Sequence, residues 1–177
     1  SHIVAVGQTT FLSNTFGLSW TESTDPAWDG YPIVLEQHGI NKNFLCFGGT
    51  SLQGAPKYGY SLDTGRTWRN THVYGPGLQV GRVTAIGLTD PSPHRVFVAV
   101  GERLLYTLDS GATWPEIYSF PRSVIRTIVS VRDTLFVGGD VLSVSPNAGI
   151  DWYITDTPFP FPTEIRHIVK NDKADML

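Results

Sequence analysis

The sequence predicts an all-β protein built from four repeated, four-stranded antiparallel sheets. Three observations predict it. The first is that four of the five tryptophans close the same eight-residue frame. The frames are Ser13, Thr15, Gly17, Ser19 and Trp20; Ser61, Asp63, Gly65, Thr67 and Trp68; Thr107, Asp109, Gly111, Thr113 and Trp114; and Ser145, Asn147, Gly149, Asp151 and Trp152. Their tryptophans stand 48, 46 and 38 residues apart. A recurring period of this length signals a solenoid or a propeller. The second observation is a set of short apolar runs ending in glycine: IVAVG (3–7), FLCFGG (44–49), VFVAVG (96–101) and LFVGG (135–139). They are β-branched and aromatic and read as buried strands. The third is that no 11-residue window carries a convincing amphipathic helix.

Within each repeat the elements follow in order. IVLEQ (33–37), VTAIGL (83–88), IRTIVSV (125–131) and IRHIVK (165–170) read as strand A. The glycine-terminated runs are strand B. Strand C runs into the eight-residue frame, and strand D leaves from its tryptophan. Three of the B glycines lie six residues before the frame, and the second repeat has 12, so it carries a six-residue insertion within TSLQGAPKYG (50–59). Four strands in up-and-down order make a blade, and such blades pack around an axis as a β-propeller. The expected blades in one domain, 1–177, are 165–177 plus 1–30, then 31–74, 80–120 and 122–157.

The run at 3–7 is a strand B without a strand A before it, and 165–170 is a strand A without a strand B after it. Joining the ends gives a tryptophan spacing of 45, close to the others. The leading expectation is therefore that 165–170 pairs with 3–7 and closes a four-bladed ring, which removes exposed strand edges. Two rivals are a segment of a larger propeller and an eight-bladed ring made of two chains.

The frame itself is a turn. Gly65 can take the positive φ of a tight hairpin. The carboxylate of Asp63 and the hydroxyls of Ser61 and Thr67 can bond to backbone N–H groups within it. A buried Trp removes about 150–250 Å² from water, worth roughly 4–6 kcal/mol as an upper bound. One turn hydrogen bond nets only about 1 kcal/mol. This difference accounts for a frame that keeps its Trp while Asp63 and Asp109 give way to Thr15 and Asn147.

These residues resemble the Asp-box, or BNR, repeat, Ser/Thr-x-Asp-x-Gly-x-Thr-Trp. That repeat occurs in sialidases, sortilin-type receptors, xyloglucanases and photosystem assembly factors. Frames 61–68 and 107–114 match it nearly in full, while 13–20 and 145–152 are degenerate. The resemblance implies a propeller in which the box is a structural turn on the face away from the binding site. It implies no chemical role for Asp63 or Asp109. The sialidases of the family need an arginine cluster, a tyrosine nucleophile paired with an acid, and a further acid. Here FPRSVI (120–125) has the wrong order for their FRIP motif. No catalytic residue is assigned. Small stand-alone proteins with such repeats occur in phage genomes, so the resemblance allows a structural or virion component.

Composition narrows the partners. The net charge is −3 and the pI about 5.9, with no run of like charges. This argues against nucleic acid and acidic membranes. Apolar runs fall far short of the roughly 18 residues of a membrane span, and no signal peptide pattern is visible. No cofactor is implied. No metal is implied either, because His38, His72, His94 and His167 show no metal-ligand spacing. Cys46, the single cysteine, reads as a core residue of a strand B.

In an up-and-down blade the B–C and D–A loops share one end and the boxes lie at the other. The long loops, 21–32, 50–59, 71–81 and 155–164, fall mostly at the first end. They carry Trp28, Tyr31, Tyr58, His72, Tyr74, Phe159 and Phe161 as candidates for binding a protein or a glycan. The competing reading packs these rings onto the blade ends. Arg126 and Arg166 fall at the same point of strand A and are candidates for an anion site, against a channel-wall salt bridge with Glu164 or Glu36. Two function classes follow: a non-enzymatic interaction or structural module that has a protein partner or forms a homo-oligomer, and a glycoside hydrolase or a fragment of one.

Overall fold

The β-branched and aromatic runs form strands wherever the repeat places them. The computed structural model describes residues 3–23, 30–37, 43–89, 95–155 and 164–170. The first sheet holds β1 (Ile3–Val6), β2 (Thr10–Ser13) and β3 (Thr21–Glu22). The second holds β4 (Gly30–Gln37), β5 (Leu45–Ser51), β6 (Pro56–Ser61) and β7 (Arg69–His72). The third holds β8 (Val83–Leu88), β9 (Val96–Val100), β10 (Arg103–Thr107) and β11 (Glu116–Ser119). The fourth holds β12 (Thr127–Val131), β13 (Thr134–Gly138), β14 (Leu142–Ser145) and β15 (Tyr153–Ile154). Every pairing is antiparallel between consecutive strands, as in propeller blades. Among the described residues there is no helix, hence none long and apolar enough to cross a membrane.

Each core lies between one blade and the next. Val4 and Val6 of the first blade pack against Leu45, Phe47 and Trp68 of the second. Cys46, Tyr58, Tyr60, Val73 and Leu78 of the second meet Val83, Val98, Leu105 and Trp114 of the third. Phe97, Leu104 and Phe120 of the third meet Ile125, Leu135 and Val137 of the fourth. Alternate strand residues point to opposite faces, so a blade between two neighbours is buried on both. This is why β5, β6 and β9 are buried along nearly their whole length. The innermost strand β8 lies beside both β4 and β12.

Two expectations change. The insertion at 50–59 lengthens a hairpin and leaves only a short turn. β5 runs on to Ser51 and β6 begins at Pro56, with Thr50 opposite Pro56. A turn closes the hairpin, with the N–H of Gly54 donating to the Ser51 carbonyl at 3.0 Å. Extra residues that can continue a ladder satisfy their backbone groups there, which an open loop cannot offer.

Among the described residues the first sheet has three strands, 164–170 is not a strand, and the expected pairing of 165–170 with β1 is not seen. This segment runs beside the fourth blade. The N–H of Ile165 donates to the Gly139 carbonyl at 2.7 Å, and the N–H of Ile168 donates to Thr127 Oγ1 at 3.4 Å. The side chain of Ile165 covers Gly138, where a Cβ would stand 2.7 Å from it. Packing against a bare glycine holds the segment there without a ladder of its own.

Candidate functional site

The four boxes share one hydrogen-bond plan despite their different residues. A hydroxyl at the first position accepts the glycine N–H at 2.8 Å in every case: Ser13 from Gly17, Ser61 from Gly65, Thr107 from Gly111 and Ser145 from Gly149. The third position accepts the N–H two residues beyond the glycine. Asp63 does so from Thr67 at 2.8 Å, Asp109 from Thr113 at 2.9 Å and Asn147 from Asp151 at 2.8 Å. Thr15 accepts the Ser19 N–H at 2.8 Å through its hydroxyl. The residue before each glycine also has positive φ: Phe16, Thr64, Ser110 and Ala148, at 55° to 60°. Two successive left-handed residues turn the chain tightly enough for one hydroxyl to reach both ends.

Electrostatics follows from this plan. Thr113 donates through its hydroxyl and N–H to Asp109, and the Thr107 hydroxyl adds a third bond. Together they hold the Asp109 carboxyl down at about 2. At Asp63 burial pushes the carboxyl up, but the bonds from Thr67, Ser61 and Arg66 outweigh it and the net shift is downward. Both acids are spent on the turn.

The opposite end of the blades holds Tyr31, His72 and Tyr74. In the second blade a row crosses the sheet from Pro32 through Gly49 and Lys57 to His72. Tyr74 extends beyond it. The His72 and Tyr74 rings lie 5.5 Å apart, and the Tyr74 hydroxyl is 3.3 Å from His72 Nδ1. Burial and then the Lys57 charge push the His72 imidazole below its ordinary value, so it is neutral at pH 7. Val73 and Leu78, on either side of Tyr74, are buried in the core and anchor this loop. Arg103 Nη1 donates to the Pro76 carbonyl at 2.6 Å and ties it to the third blade. Tyr31 and Tyr74 are exposed.

Tyr58 is not among these exposed rings. It lies within β6 and is 1% exposed, because the longer hairpin places it opposite Gly48 in the blade interior. Trp28, Phe159 and Phe161 lie outside the described residues. Arg126 and Arg166 are brought together, with a carboxylate between them. Glu164 bonds to Arg126 Nη2 at 2.5 Å and to Arg166 Nη2 at 2.8 Å. Arg166 first, with Arg126, holds that carboxyl below its usual value. One acid thus takes up both guanidiniums, which is the salt-bridge arrangement. Cys46 is fully buried and free. Among the described residues, no group of three His, Cys, Asp or Glu is placed to hold a metal ion.

Two features escaped the sequence reading. Leu18, Leu62, Leu108 and Ile150 stand exposed on the box turns. The signal was present, since the variable box positions hold leucine and isoleucine where a solvated turn would have polar residues. A cavity of about 480 Å³ between the outer strands of the third and fourth blades is lined by Tyr118, Phe120, Trp152 and Tyr153. Nothing in the spacing of these residues marks it, because it forms only when two blades meet.

No family model matches the chain, and no curated protein matches it. Solved structures do. A structure of YCF48 bound to D1 peptide superposes with a TM-score of 0.57 at 14% identity, covering 71% of this chain and 40% of that one. YCF48 from Cyanidioschyzon merolae gives 0.56 at 16% identity, with the same coverage. An ancestral GH74 enzyme gives 0.63 at 15% identity over 89% of this chain and 22% of the enzyme. The chain thus spans well under half of each. These likenesses are of fold: repeated four-stranded blades of the kind found in Asp-box-type propellers.

Proposed function

We propose that the chain is a non-enzymatic β-propeller module that binds a polypeptide partner through the B–C and D–A end of its blades. The observation that carries this reading is the Tyr74–His72 pair. The Tyr74 ring projects from a loop that Val73 and Leu78 lock into the core, beside the His72 ring at the end of β7. A rigid aromatic anchor on a fixed scaffold loses little entropy on binding and makes an effective hot spot. Tyr31, at the same end of the blade, widens the surface. That YCF48, a propeller of similar fold, has been solved bound to a peptide makes a polypeptide the first class to try. A larger assembly such as a phage particle is one setting for such a module.

The test is selection of binding peptides from a displayed library on the purified chain, followed by competition. Tyr74→Ala and Tyr31→Ala should each weaken the selected binders about tenfold or more, the effect of a hot-spot residue. Leu62→Ser and Leu108→Ser, on the box turns, should leave them unchanged. Binders that respond only to the box substitutions would move the working surface to the other end. Turnover of a fluorogenic glycoside panel by the purified chain would replace the reading with a hydrolase.

A further inference from the structure

We propose that the cleft between the outer strands of the third and fourth blades is a second binding site, and that it takes a proline-rich peptide. This rests on the reading that the partner is a polypeptide, and gives it a class and a second place, on residues that the Tyr74 surface does not share. The molecule holds its own template for the occupant. Ten residues, 73–82, join β7 to β8, whereas seven, 120–126, join β11 to β12. The longer connection folds into the junction of the second and third blades. Its Leu78 is buried in one core with Leu105, and a Cβ on Gly75 would stand 3.6 Å from the Leu105 side chain. Arg103 clamps it from the third blade, donating through Nη1 to the Pro76 carbonyl at 2.6 Å and through Nε to Glu116 at 2.7 Å. The stretch Gly75, Pro76, Gly77, Leu78 thus packs where those two blades meet.

The junction of the third and fourth blades has the same places without that loop. Counted from the first box residue, Thr107 or Ser145, the positions of Arg103, Leu105 and Glu116 are held in the fourth blade by Val141, Ser143 and Ile154. All three line the cavity of about 480 Å³. Ser143 stands in a cross-strand row with Val137 and Ile154, and Val137 is buried against the third blade, so the row faces the cleft. Serine in place of leucine widens the floor. Valine and isoleucine in place of the Arg–Glu clamp remove its charge. A peptide that enters from outside takes the position that the connection itself takes one junction earlier.

The walls favour proline. Tyr118, Phe120 and Trp152 pack on one another with ring centroids 4.8–5.4 Å apart. They form a continuous aromatic wall with no slot between the rings for a cation. Trp152 Nε1 is spent on the Gly149 carbonyl at 3.0 Å, so the indole offers its ring. No carboxylate, amide or guanidinium side chain is among the described residues lining the cavity, so a sugar buried there would leave hydroxyls without strong partners. Proline has no N–H to satisfy. A polyproline II segment is stiff before it binds, and it docks on aromatic-lined grooves. Tyr118 and Tyr153 are exposed, and phenol hydroxyls can donate to its carbonyls. The cavity lies within the roughly 300–1,000 Å³ of ligand sites.

The experiment is fluorescence anisotropy of a labelled ten-residue peptide of repeating Pro-Pro-Leu on the purified chain, with a glycine–serine peptide of equal length as control. The proline peptide should bind and the control should not. Ser143→Leu restores in the cavity the side chain that the third blade has at Leu105, and should weaken binding about tenfold or more. Ile154→Glu sets an unpaired carboxylate on the rim and should weaken it about as much; the position is 71% exposed, so the fold tolerates the change. Leu62→Ser, on a box turn, should change nothing. No binding of the proline peptide at about 1 mM, or binding that survives both cleft substitutions, would overturn the proposal. So would displacement of the peptide by cellotetraose or tetramethylammonium, which would assign the cleft to a sugar or a cation. Tyr31 and Tyr74 line no part of the cleft, so these results strike the cleft alone. The earlier reading stands or falls on Tyr74→Ala and Tyr31→Ala.

Discussion

Trp114 stands edge-on to Tyr58, ring centroids 5.1 Å apart and planes inclined by 75°, and so joins the box of one blade to the middle strand of the blade before it. The geometry is a favourable T-shaped pair. It has a polar cost. Tyr58 Oη and Trp114 Nε1 are both buried without a hydrogen-bond partner. The other box tryptophans donate to their own glycine carbonyls, at 3.0–3.1 Å.

Removing the unpaired hydroxyl should therefore help. A buried polar group without a partner costs about 1–3 kcal/mol. Tyr58→Phe keeps the ring and is expected to raise stability by about 1 kcal/mol. Tyr58→Ala should cost about 3–5 kcal/mol, as large aromatic truncations do. Urea unfolding of the two variants checks both. A loss of stability in Tyr58→Phe would mean that the hydroxyl has a partner after all.

The tryptophans should rank by burial. Trp68→Ala and Trp114→Ala are expected to lose about 3–5 kcal/mol each. Trp20→Ala should lose less than half of that, because the Trp20 ring is 45% exposed. Urea unfolding of the three variants measures this. A Trp20→Ala cost equal to the others would contradict the ranking.

The acid of the third-blade box should show in the pH profile. Its folded value, about 2, lies below the ordinary 3.8. A depressed carboxyl contributes its stability in full above its unfolded value and loses it as pH falls through the folded one. Asp109→Asn should be less stable than the parent above pH 3.8, and the gap should narrow as pH falls toward 2. Thermal melts across that window test it. A gap that stays constant would assign the effect to geometry alone.

Two glycines with positive φ should respond differently to alanine. Gly54 has φ +82° and open space where a Cβ would go. Gly111 has φ +90° and would press its Cβ to 2.8 Å from Thr71. Gly54→Ala should cost about 1–2 kcal/mol from the left-handed backbone alone. Gly111→Ala should cost about 2–4 kcal/mol, because it also pushes two blades apart. Equal costs would show that the junction at Gly111 can relax.

Much of this molecule is local and was legible in the sequence by itself. The boxes are made by residues within eight positions of one another, so Ser61, Asp63, Gly65 and Trp68 specify their turn wherever they occur. The strands follow from runs such as VFVAV and VTAIGL, whose observed bounds begin and end within a residue or two of the reading. Only the tertiary structure decided what depends on a second blade. Tyr58 looked like a loop aromatic because periodicity cannot tell a longer hairpin from a longer loop, and it became a core residue when β5 and β6 extended together. Trp20 has the same frame as Trp114 but is 45% exposed, and that exposure was unreadable from its neighbours in the chain. The segment 164–170 has the pattern of an inner strand, yet a strand exists only through the hydrogen bonds of a partner. Its pattern could name the role, but its placement beside the fourth blade was settled by long-range packing of Ile165 on Gly138.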